Sequence, residues 1–306
     1  MGQVISYFYP ESDHIKTWRT LDWGKKNEQL EWLKSYHLGS GDPKHLRVLL
    51  CGPAGSGKSS FINSVASICQ NQCAEPAEAS NGMGTTPELA KSAGQSFTLK
   101  YKTHQIKRDG QGDQHYPFVF NDLMGLEEER GILSEDIKLA MKGHVKEDYE
   151  FNQEHALDDS NDSYNKKPTL NDKAHILVFV VAVDFIQVAG PKIIQKMVEV
   201  KLAARDLGIR TMAILTKIDE KSSPYVKEDL KNVYSSKFIK NAVENLSINV
   251  GFPVSCIFPL KNYHEEICLK DEIDILILSA LRKIIDLGNY CENYSNVELM
   301  TKQPTT

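Results

Sequence analysis

The chain lacks a hydrophobic run long enough to cross a bilayer. Its longest apolar stretch covers residues 176–183, whereas a membrane-spanning helix needs about 20 apolar residues. An apolar secretory leader is also missing, because the first residues include Glu11, Asp13 and several aromatic side chains. We therefore expect a cytoplasmic protein that is neither secreted nor anchored by a membrane span.

Paired cysteines and basic runs are absent as well. The six cysteines form no CxxC pair, and no histidine cluster has the spacing of metal ligands. The sequence therefore predicts free thiols in a reducing compartment rather than a zinc site or a disulfide framework. The net charge of -5 and the pI near 6.0 do not fit a nucleic-acid-binding protein. The composition, 41% hydrophobic and 25% charged among 306 residues, is typical of a globular protein.

Strand patterns alternate with helix patterns over most of the chain. Residues 46–51 and 176–183 are continuous apolar runs typical of central parallel strands, and residues 97–101 alternate like a half-exposed edge strand. This alternation predicts a mainly parallel sheet with helices on both faces and one antiparallel edge strand. The other predicted strands are 118–121, 211–215 and 254–260, and the predicted helices are 27–35, 58–69, 191–207, 226–246 and 271–287, the last stopped by Gly288.

A glycine-rich motif lies between the first central strand and the following helix. Residues 52–59 read GPAGSGKS and match GxxxxGK(S/T) in full. In such a P-loop the backbone N–H groups turn toward phosphates, the lysine reaches the β- and γ-phosphates, and the Ser or Thr hydroxyl binds Mg²⁺. The sequence therefore predicts a phosphate site made by Gly52, Pro53, Ala54, Gly55, Ser56, Gly57, Lys58, Ser59 and Ser60.

Two further segments fit a nucleotide–Mg²⁺ site. Asp122 follows an apolar strand and begins the sequence DLMG. Its carboxylate is predicted to hold Mg²⁺ through water, and the N–H of Gly125 to contact the γ-phosphate. Residues 84–87 contain Thr85 and Thr86, and a nucleotide-switched protein supplies one such threonine to Mg²⁺ and the γ-phosphate. The sequence leaves open which of the two threonines has this role.

A base-recognition signature follows another apolar strand. Thr216, Lys217 and Asp219 form TKxD, a variant of NKxD in which the carboxylate accepts hydrogen bonds from the N1–H and the exocyclic amine of guanine. Adenine lacks this donor pair and would leave a buried carboxylate unpaired, so GTP or GDP is the predicted ligand. Thr216 replaces the usual Asn and is expected to hold the P-loop less firmly. Lys261 and Asn262 are assigned to the guanine site by position alone.

The group that orients water for hydrolysis is missing from its usual place. The position after DLMG carries Leu126 rather than Gln, and residues 127–130 are interpreted as a solvated charge run. Hydrolysis is expected to be slow unless a partner or a second copy completes the site, and Gln at position 126 is expected to raise it. Two hypotheses remain, a slow or assembly-dependent GTPase and a GTP-binding scaffold that acts through protein–protein interaction. Asp219 disfavours an ATP-dependent enzyme.

These motifs divide the chain into three parts. Residues 1–45 are predicted to be a Trp-rich extension and linker, residues 46–290 a P-loop NTPase domain of the GTPase type, and residues 291–306 a tail. Within the domain, residues 143–173 are polar and acidic, which predicts a partly disordered surface insertion. The helix at 271–287 is apolar over most of its circumference, which fits either packing on the sheet or a surface for a partner or second copy.

The first residues carry a lipidation pattern. MGQVIS matches MGxxx(S/T), which makes Gly2 a candidate for N-myristoylation. A single acyl chain gives only weak, reversible membrane binding, and neither a nearby cysteine nor a basic cluster adds a second signal. We therefore expect at most a weak membrane-bound fraction, with unidentified protein partners or self-association and no nucleic-acid partner.

Five stretches resemble one known family beyond the generic P-loop. They are TWRT at 17–20, RVLLCGPAGSGKSSF at 47–61, PFVFNDLMGL at 117–126, LTKID at 215–219 and DILILSALR at 274–282. Together they resemble the interferon-induced protein 44 family of GTPase-like proteins. The resemblance implies an interferon-inducible cytoplasmic protein of antiviral innate immunity that binds nucleotide through residues 52–59, Asp122 and residues 216–219. It does not decide whether the nucleotide is hydrolysed.

Overall fold

A six-stranded sheet is the centre of the computed structural model, which describes residues 13–72, 100–110, 112, 114–128 and 131–301, with side chains to residue 290. The spatial order of the strands is β2-β3-β1-β4-β5-β6, and all neighbours are parallel except β2, which is antiparallel to β3. The strands are β1 Leu46–Cys51, β2 Lys102–Lys107, β3 His115–Asp122, β4 Ile176–Ala182, β5 Arg210–Thr216 and β6 Ile257–Pro259. The predicted, mainly parallel sheet with one antiparallel edge strand is confirmed.

The edge strand begins later than the alternating pattern predicts. Residues 97–99 lie outside the described residues, and Tyr101 precedes β2 rather than belonging to it. Tyr101 is 3% exposed, and its N–H donates to the carbonyl of Tyr149 over 2.8 Å. At Tyr101 the backbone therefore pairs with the irregular segment that contains Tyr149 and not with a neighbouring strand.

Helices cover both faces of the sheet, as predicted. The helices are α1 Lys26–Ser35, α2 Lys58–Cys69, α3 Ser134–Lys142, α4 Phe185–Val188, α5 Pro191–Asp206, α6 Ile218–Lys221, α7 Pro224–Glu228, α8 Lys237–Val250 and α9 Asp271–Thr301. On one face of the sheet, α2 and α9 pack together against the strands, and α1 lies outside against α9. On the other face lie α3, α5 and α8. The sequence analysis missed α3, although its alternation of polar and buried apolar residues is that of an amphipathic helix.

The helix predicted over residues 226–246 is broken into separate pieces. A 3₁₀ helix, Leu230–Ser235, lies between α7 and α8, and Asp229 and Ser236 at its two ends have extended backbones. The Asp229 carboxylate accepts from the N–H of Lys231, and the Ser236 hydroxyl accepts from that of Ile239. Short polar side chains of this kind compete with helical hydrogen bonds and favour caps, which explains the interruption.

The last helix passes through Gly288, so the predicted stop at this residue is wrong. A Cβ atom at position 288 would lie 2.6 Å from a methyl carbon of Leu46. The glycine therefore allows α9 to approach β1 closely and does not end the helix. The apolar side chains that make α9 hydrophobic over most of its circumference are all buried: Ile273, Ile275, Leu276, Ile277, Leu278, Leu281, Ile284 and Ile285. Of the two interpretations of this helix, packing on the sheet is therefore confirmed, and these side chains do not form a surface for a partner.

The acidic segment at 143–173 has no helix or strand but contributes to the core. Tyr149, Phe151 and Leu157 are at most 7% exposed. The N–H of Leu157 donates over 2.8 Å to the carboxylate of Asp136 on α3. Buried apolar anchors spaced among polar residues hold the segment in place, so the expectation of partial disorder from its composition is wrong.

The residues before β1 pack against the carboxyl-terminal half of the chain. The Asp13 carboxylate accepts hydrogen bonds from the Ser236 hydroxyl and the Phe238 N–H, 2.7 and 2.8 Å away, and from the Ser223 hydroxyl. The Arg19 guanidinium donates to the carbonyls of Ile257 and Val254 and lies over the Trp18 ring.

Within the described part of the chain, no helix is long and apolar enough to cross a membrane.

Candidate nucleotide site

The motifs singled out in the sequence meet at one edge of the sheet. The P-loop follows β1, Asp122 ends β3, Thr216 ends β5, and Lys261 lies just beyond β6. The carboxyl ends of parallel strands share one edge, and ligands of open α/β sheets bind there. The topology therefore brings together residues that are separated by more than 200 positions in the sequence.

Two glycines shape the P-loop backbone. A Cβ atom at Gly52 would lie 1.9 Å from the carbonyl oxygen of Val180 on the neighbouring strand. Gly57 has a φ of 93° and precedes the first residue of α2. Side chains are excluded at the first position and strained at the second. The loop can therefore present N–H groups beside the N-terminus of a helix, and this arrangement fits a phosphate group.

Lys58 lies inside the loop and is 6% exposed. Its ammonium donates to the carbonyl oxygens of Gly52 and Pro53, each 3.1 Å away. Burial lowers the pKa of Lys58, and the nearby carboxylate of Asp122 partly offsets this effect. The Ser60 carbonyl accepts from Ser64 within α2, and Gly55 is exposed at the tip of the loop.

The two residues predicted to hold Mg²⁺ are in direct contact. The Ser59 hydroxyl donates to Oδ2 of Asp122 over 2.5 Å, and Asp122 is 2% exposed. A hydroxyl beside a carboxylate is a donor set that suits a hard cation such as Mg²⁺. The chemistry of these two side chains therefore fits the cation. Thr85 and Thr86 lie outside the described residues.

The chain after Asp122 packs tightly against the P-loop. A Cβ atom at Gly125 would lie 2.6 Å from the backbone nitrogen of Ala54. The N–H of Leu126 donates over 3.0 Å to the carbonyl of Gly52, and the Leu126 side chain is fully buried. Leucine at the usual glutamine position is therefore part of the core, at the base of a groove that also includes Pro53 and Ala54.

Thr216 and Asn262 both hold the P-loop. The Thr216 hydroxyl donates to the carbonyl of Ser56 over 2.6 Å, and the Asn262 amide donates to the carbonyl of Gly57 over 3.1 Å. The hydroxyl of Thr216 has a single hydrogen to donate, whereas the asparagine usual at this position would bring an amide group. Here the side chain of Asn262 supplies the amide donor to the P-loop instead. The sequence analysis placed Asn262 near the base by position and missed this contact, which joins distant parts of the chain.

Asp219 belongs to an ion-paired group beside the loop. It lies in α6, which begins after Lys217, a residue with a φ of 60°. The Lys261 ammonium lies 3.0 Å from Oδ2 of Asp219 and 2.8 Å from Oε1 of Glu266. Burial opposes ionisation of Glu266, but hydrogen bonds from Lys261 and from backbone N–H groups lower its pKa to about 2. Glu266 belongs to no sequence motif, although it lies in the same irregular segment as Lys261 and Asn262.

Glu127 differs from the solvated charge run in which the sequence analysis placed it. Glu128 is exposed and residues 129 and 130 lie outside the described residues, whereas Oε1 of Glu127 is buried without a hydrogen-bond partner among the described residues. Burial raises the pKa of Glu127, and the charges of Lys58 and Lys196 act against this shift. The residue lines a groove of about 590 Å³ that also includes Pro53 and Ala54.

These features define the class of the protein. A strand, a glycine-rich loop and a helix form the phosphate cradle, and a carboxylate at the end of the neighbouring parallel strand contacts the serine of the loop. This is an α/β protein with the P-loop NTPase fold.

Comparison with known proteins identifies the family. The chain is 31% identical over 262 residues to interferon-induced protein 44-like of Homo sapiens, covering 85% of this chain and 55% of that protein. It is 32% identical over 263 residues to interferon-induced protein 44 of Mus musculus, covering 85% and 58%. The chain belongs to the interferon-induced protein 44 family and spans little more than half the length of these relatives.

Comparisons with protein-family models and with solved structures give less information about this chain. No protein-family model matches the chain. Among solved structures, a probable GTP-binding protein engB is similar with a TM-score of 0.40 and 12% sequence identity, covering 80% of this chain and 99% of that one.

Proposed function

We propose that this chain binds a guanine nucleotide together with Mg²⁺. The observation that supports the proposal most is the meeting of three motifs through direct hydrogen bonds. Ser59 of the P-loop donates to Asp122, and Thr216 of TKxD donates to Ser56 of the same loop. These bonds join the phosphate, metal and base motifs into one site.

Each group of residues has a role in this proposal. The backbone N–H groups of residues 52–60, Lys58 and the N–H of Gly125 would hold the phosphates. Ser59 and Asp122 would hold Mg²⁺, with Thr85 or Thr86 as a further ligand. Mg²⁺ supplies positive charge that neutralises the phosphates. Asp219 would accept from guanine, with Lys217 along the base plane and residues 261–262 at its edge.

The whole protein is proposed to act in the interferon-induced innate immune response, in the cytoplasm and against viruses. The names of its relatives support the interferon-induced part of this assignment, and the cytoplasmic and antiviral parts follow only from the resemblance to the family. A slow or assembly-dependent GTPase and a scaffold without meaningful hydrolysis are both compatible with guanine-nucleotide binding. Single-turnover hydrolysis at several protein concentrations separates them, because a rate that rises with concentration requires a second copy in the site.

The specificity for guanine is tested by Asp219→Asn. The xanthine ring presents a carbonyl where guanine has its amine, and the asparagine amide can donate to that carbonyl. We expect the variant to lose GDP affinity and to gain affinity for xanthosine diphosphate, as measured by calorimetry. Asp206→Asn is the matched control, because Asp206 is exposed and pairs only with its neighbour Arg205. Preference for GDP retained in the Asp219 variant would show that the base site lies elsewhere.

A further inference from the structure

Leu126 and Glu127 follow the DLMG motif and differ in burial. The Leu126 side chain is fully buried. The Glu127 side chain is only partly buried, yet its Oε1 atom is shielded from solvent and has no hydrogen-bond partner among the described residues. Leu126, Glu127 and the exposed Glu128 all line the groove beside Pro53 and Ala54, and Glu127 is the first of them that carries a carboxylate.

The backbone fixes Glu127 from both sides. Before it, the Leu126 N–H donates to the Gly52 carbonyl over 3.0 Å; after it, the Ile132 N–H donates to the Gly125 carbonyl over 3.1 Å. A Cβ atom at Gly131 would lie 2.2 Å from the Glu127 nitrogen, so the backbone at these two residues is in close contact. The backbone of Glu127 therefore has a defined position relative to the P-loop.

The surroundings of Glu127 are those of a phosphate site. Its carboxylate lies within the electrostatic reach of Lys58, the lysine of the P-loop, and of Lys196 on α5. It also lines the groove beside Pro53 and Ala54. A buried acceptor without a donor is unfavourable, and a small rotation of the Glu127 side chain into the groove would let a water molecule supply that donor.

We propose that Glu127 is the catalytic residue that orients and deprotonates the attacking water when this chain hydrolyses GTP. The inference rests on the proposed function and deepens it, because it assigns a catalytic group. The Leu126 side chain cannot have this role, since it can neither donate nor accept a hydrogen bond. In the step, the water oxygen bonds to the γ-phosphorus while the bond from that phosphorus to the β–γ bridging oxygen breaks. The bridging oxygen leaves on GDP with the electron pair, and the water proton passes to the Glu127 carboxylate and then to solvent.

The raised pKa of Glu127 agrees with this role. Burial shifts the pKa upward from the usual carboxyl value, and a carboxylate with a higher pKa is a stronger base. A purely structural ion pair with Lys58 is the competing explanation. In that case, removal of the negative charge would change the stability of the chain and its GDP affinity rather than the chemical step.

The test compares Glu127→Gln with Glu244→Gln, a change at an exposed glutamate of α8 that pairs with Lys240. Three quantities are measured for each variant: single-turnover GTP hydrolysis, GDP affinity, and the affinity for GDP with aluminium fluoride, which imitates the phosphoryl group during transfer. General-base catalysis contributes about a hundredfold or more to a rate. We expect Glu127→Gln to lose about that factor in rate and to lose affinity for the aluminium fluoride complex, with GDP affinity and melting temperature unchanged. Glu244→Gln should behave like the unmodified chain.

Other outcomes have distinct meanings. An unchanged rate in Glu127→Gln would overturn the proposal, as would parallel losses of stability and GDP affinity without a further loss for the aluminium fluoride complex. A chain that binds GDP but hydrolyses no GTP at any concentration would also overturn it, while guanine-nucleotide binding would stand. A chain that does not bind GDP would refute the proposed function, and the role of Glu127 with it.

Discussion

Replacement of Leu126 by Gln tests whether this position faces the phosphates or the core. The side chain is fully buried, and its N–H is bound to the Gly52 carbonyl. The sequence alone suggested that Gln here would raise hydrolysis, and the burial of Leu126 reverses that expectation. The new amide would enter an apolar site, where a polar group without a partner is unfavourable.

The size of the effect follows from this burial. Loss of the apolar contacts together with a buried, unpaired amide costs about 3 kcal/mol. At roughly 2–4 °C per kcal/mol for a protein of this size, the melting temperature should fall by roughly 6–12 °C. Leu126→Met is the matched control, because it conserves volume and should cost less than about 1.5 kcal/mol.

Two assays measure the effect of Leu126→Gln. Calorimetric or fluorescence melting measures stability, and single-turnover hydrolysis measures the chemical step in the same preparations. We expect Leu126→Gln to melt earlier and to hydrolyse GTP no faster than the unmodified chain. Faster hydrolysis with an unchanged melting temperature would refute this reasoning, because it would mean that the side chain at 126 turns toward the phosphates.

Two further predictions concern the base site and the N-terminus. Lys261→Met should lower GDP affinity by up to about fivefold, because the ammonium is proposed to lie at the guanine edge and pairs with the Asp219 carboxylate, and such partly exposed pairs contribute about 0.2–1 kcal/mol; a gain of affinity in calorimetry would mean that Lys261 only competes with guanine for Asp219. Gly2, which lies outside the described residues, is a candidate for N-myristoylation, and we expect at most a weak membrane-bound fraction, which Gly2→Ala should remove; an intact mass from animal cells without a fatty acyl group would refute the lipid hypothesis.

Contiguous motifs made most of the site predictable. Residues 52–59 form a complete loop in sequence, and the apolar runs around them identify the strand and helix that present it. Because parallel strands end at one edge of the sheet, the positions of Asp122 and Thr216 follow from the strand pattern. The contact between Ser59 and Asp122 and the contact between Thr216 and Ser56 agree with that placement.

Features that depend on tertiary packing were not predictable in this way. Gly288 is a helix-stop signal in sequence, but its contact with Leu46 makes it a residue for close helix–sheet packing. The partial burial of Glu127 and its unpartnered Oε1 atom depend on tertiary packing beside the P-loop, which a charge run does not reveal. The pairing of Lys261 and Glu266 with Asp219 joins two separate segments, and no local pattern encodes such a group.

The most direct test of the central claim is calorimetric titration of the purified chain with GDP and with ADP, in the presence of Mg²⁺. The same titrations are carried out on Lys58→Ala, with circular dichroism to establish that the variant is folded. We expect the unmodified chain to bind GDP in clear preference to ADP, and the folded variant to bind neither. Equal affinity for the two nucleotides would contradict guanine recognition, and unchanged GDP affinity in Lys58→Ala would contradict the P-loop site itself.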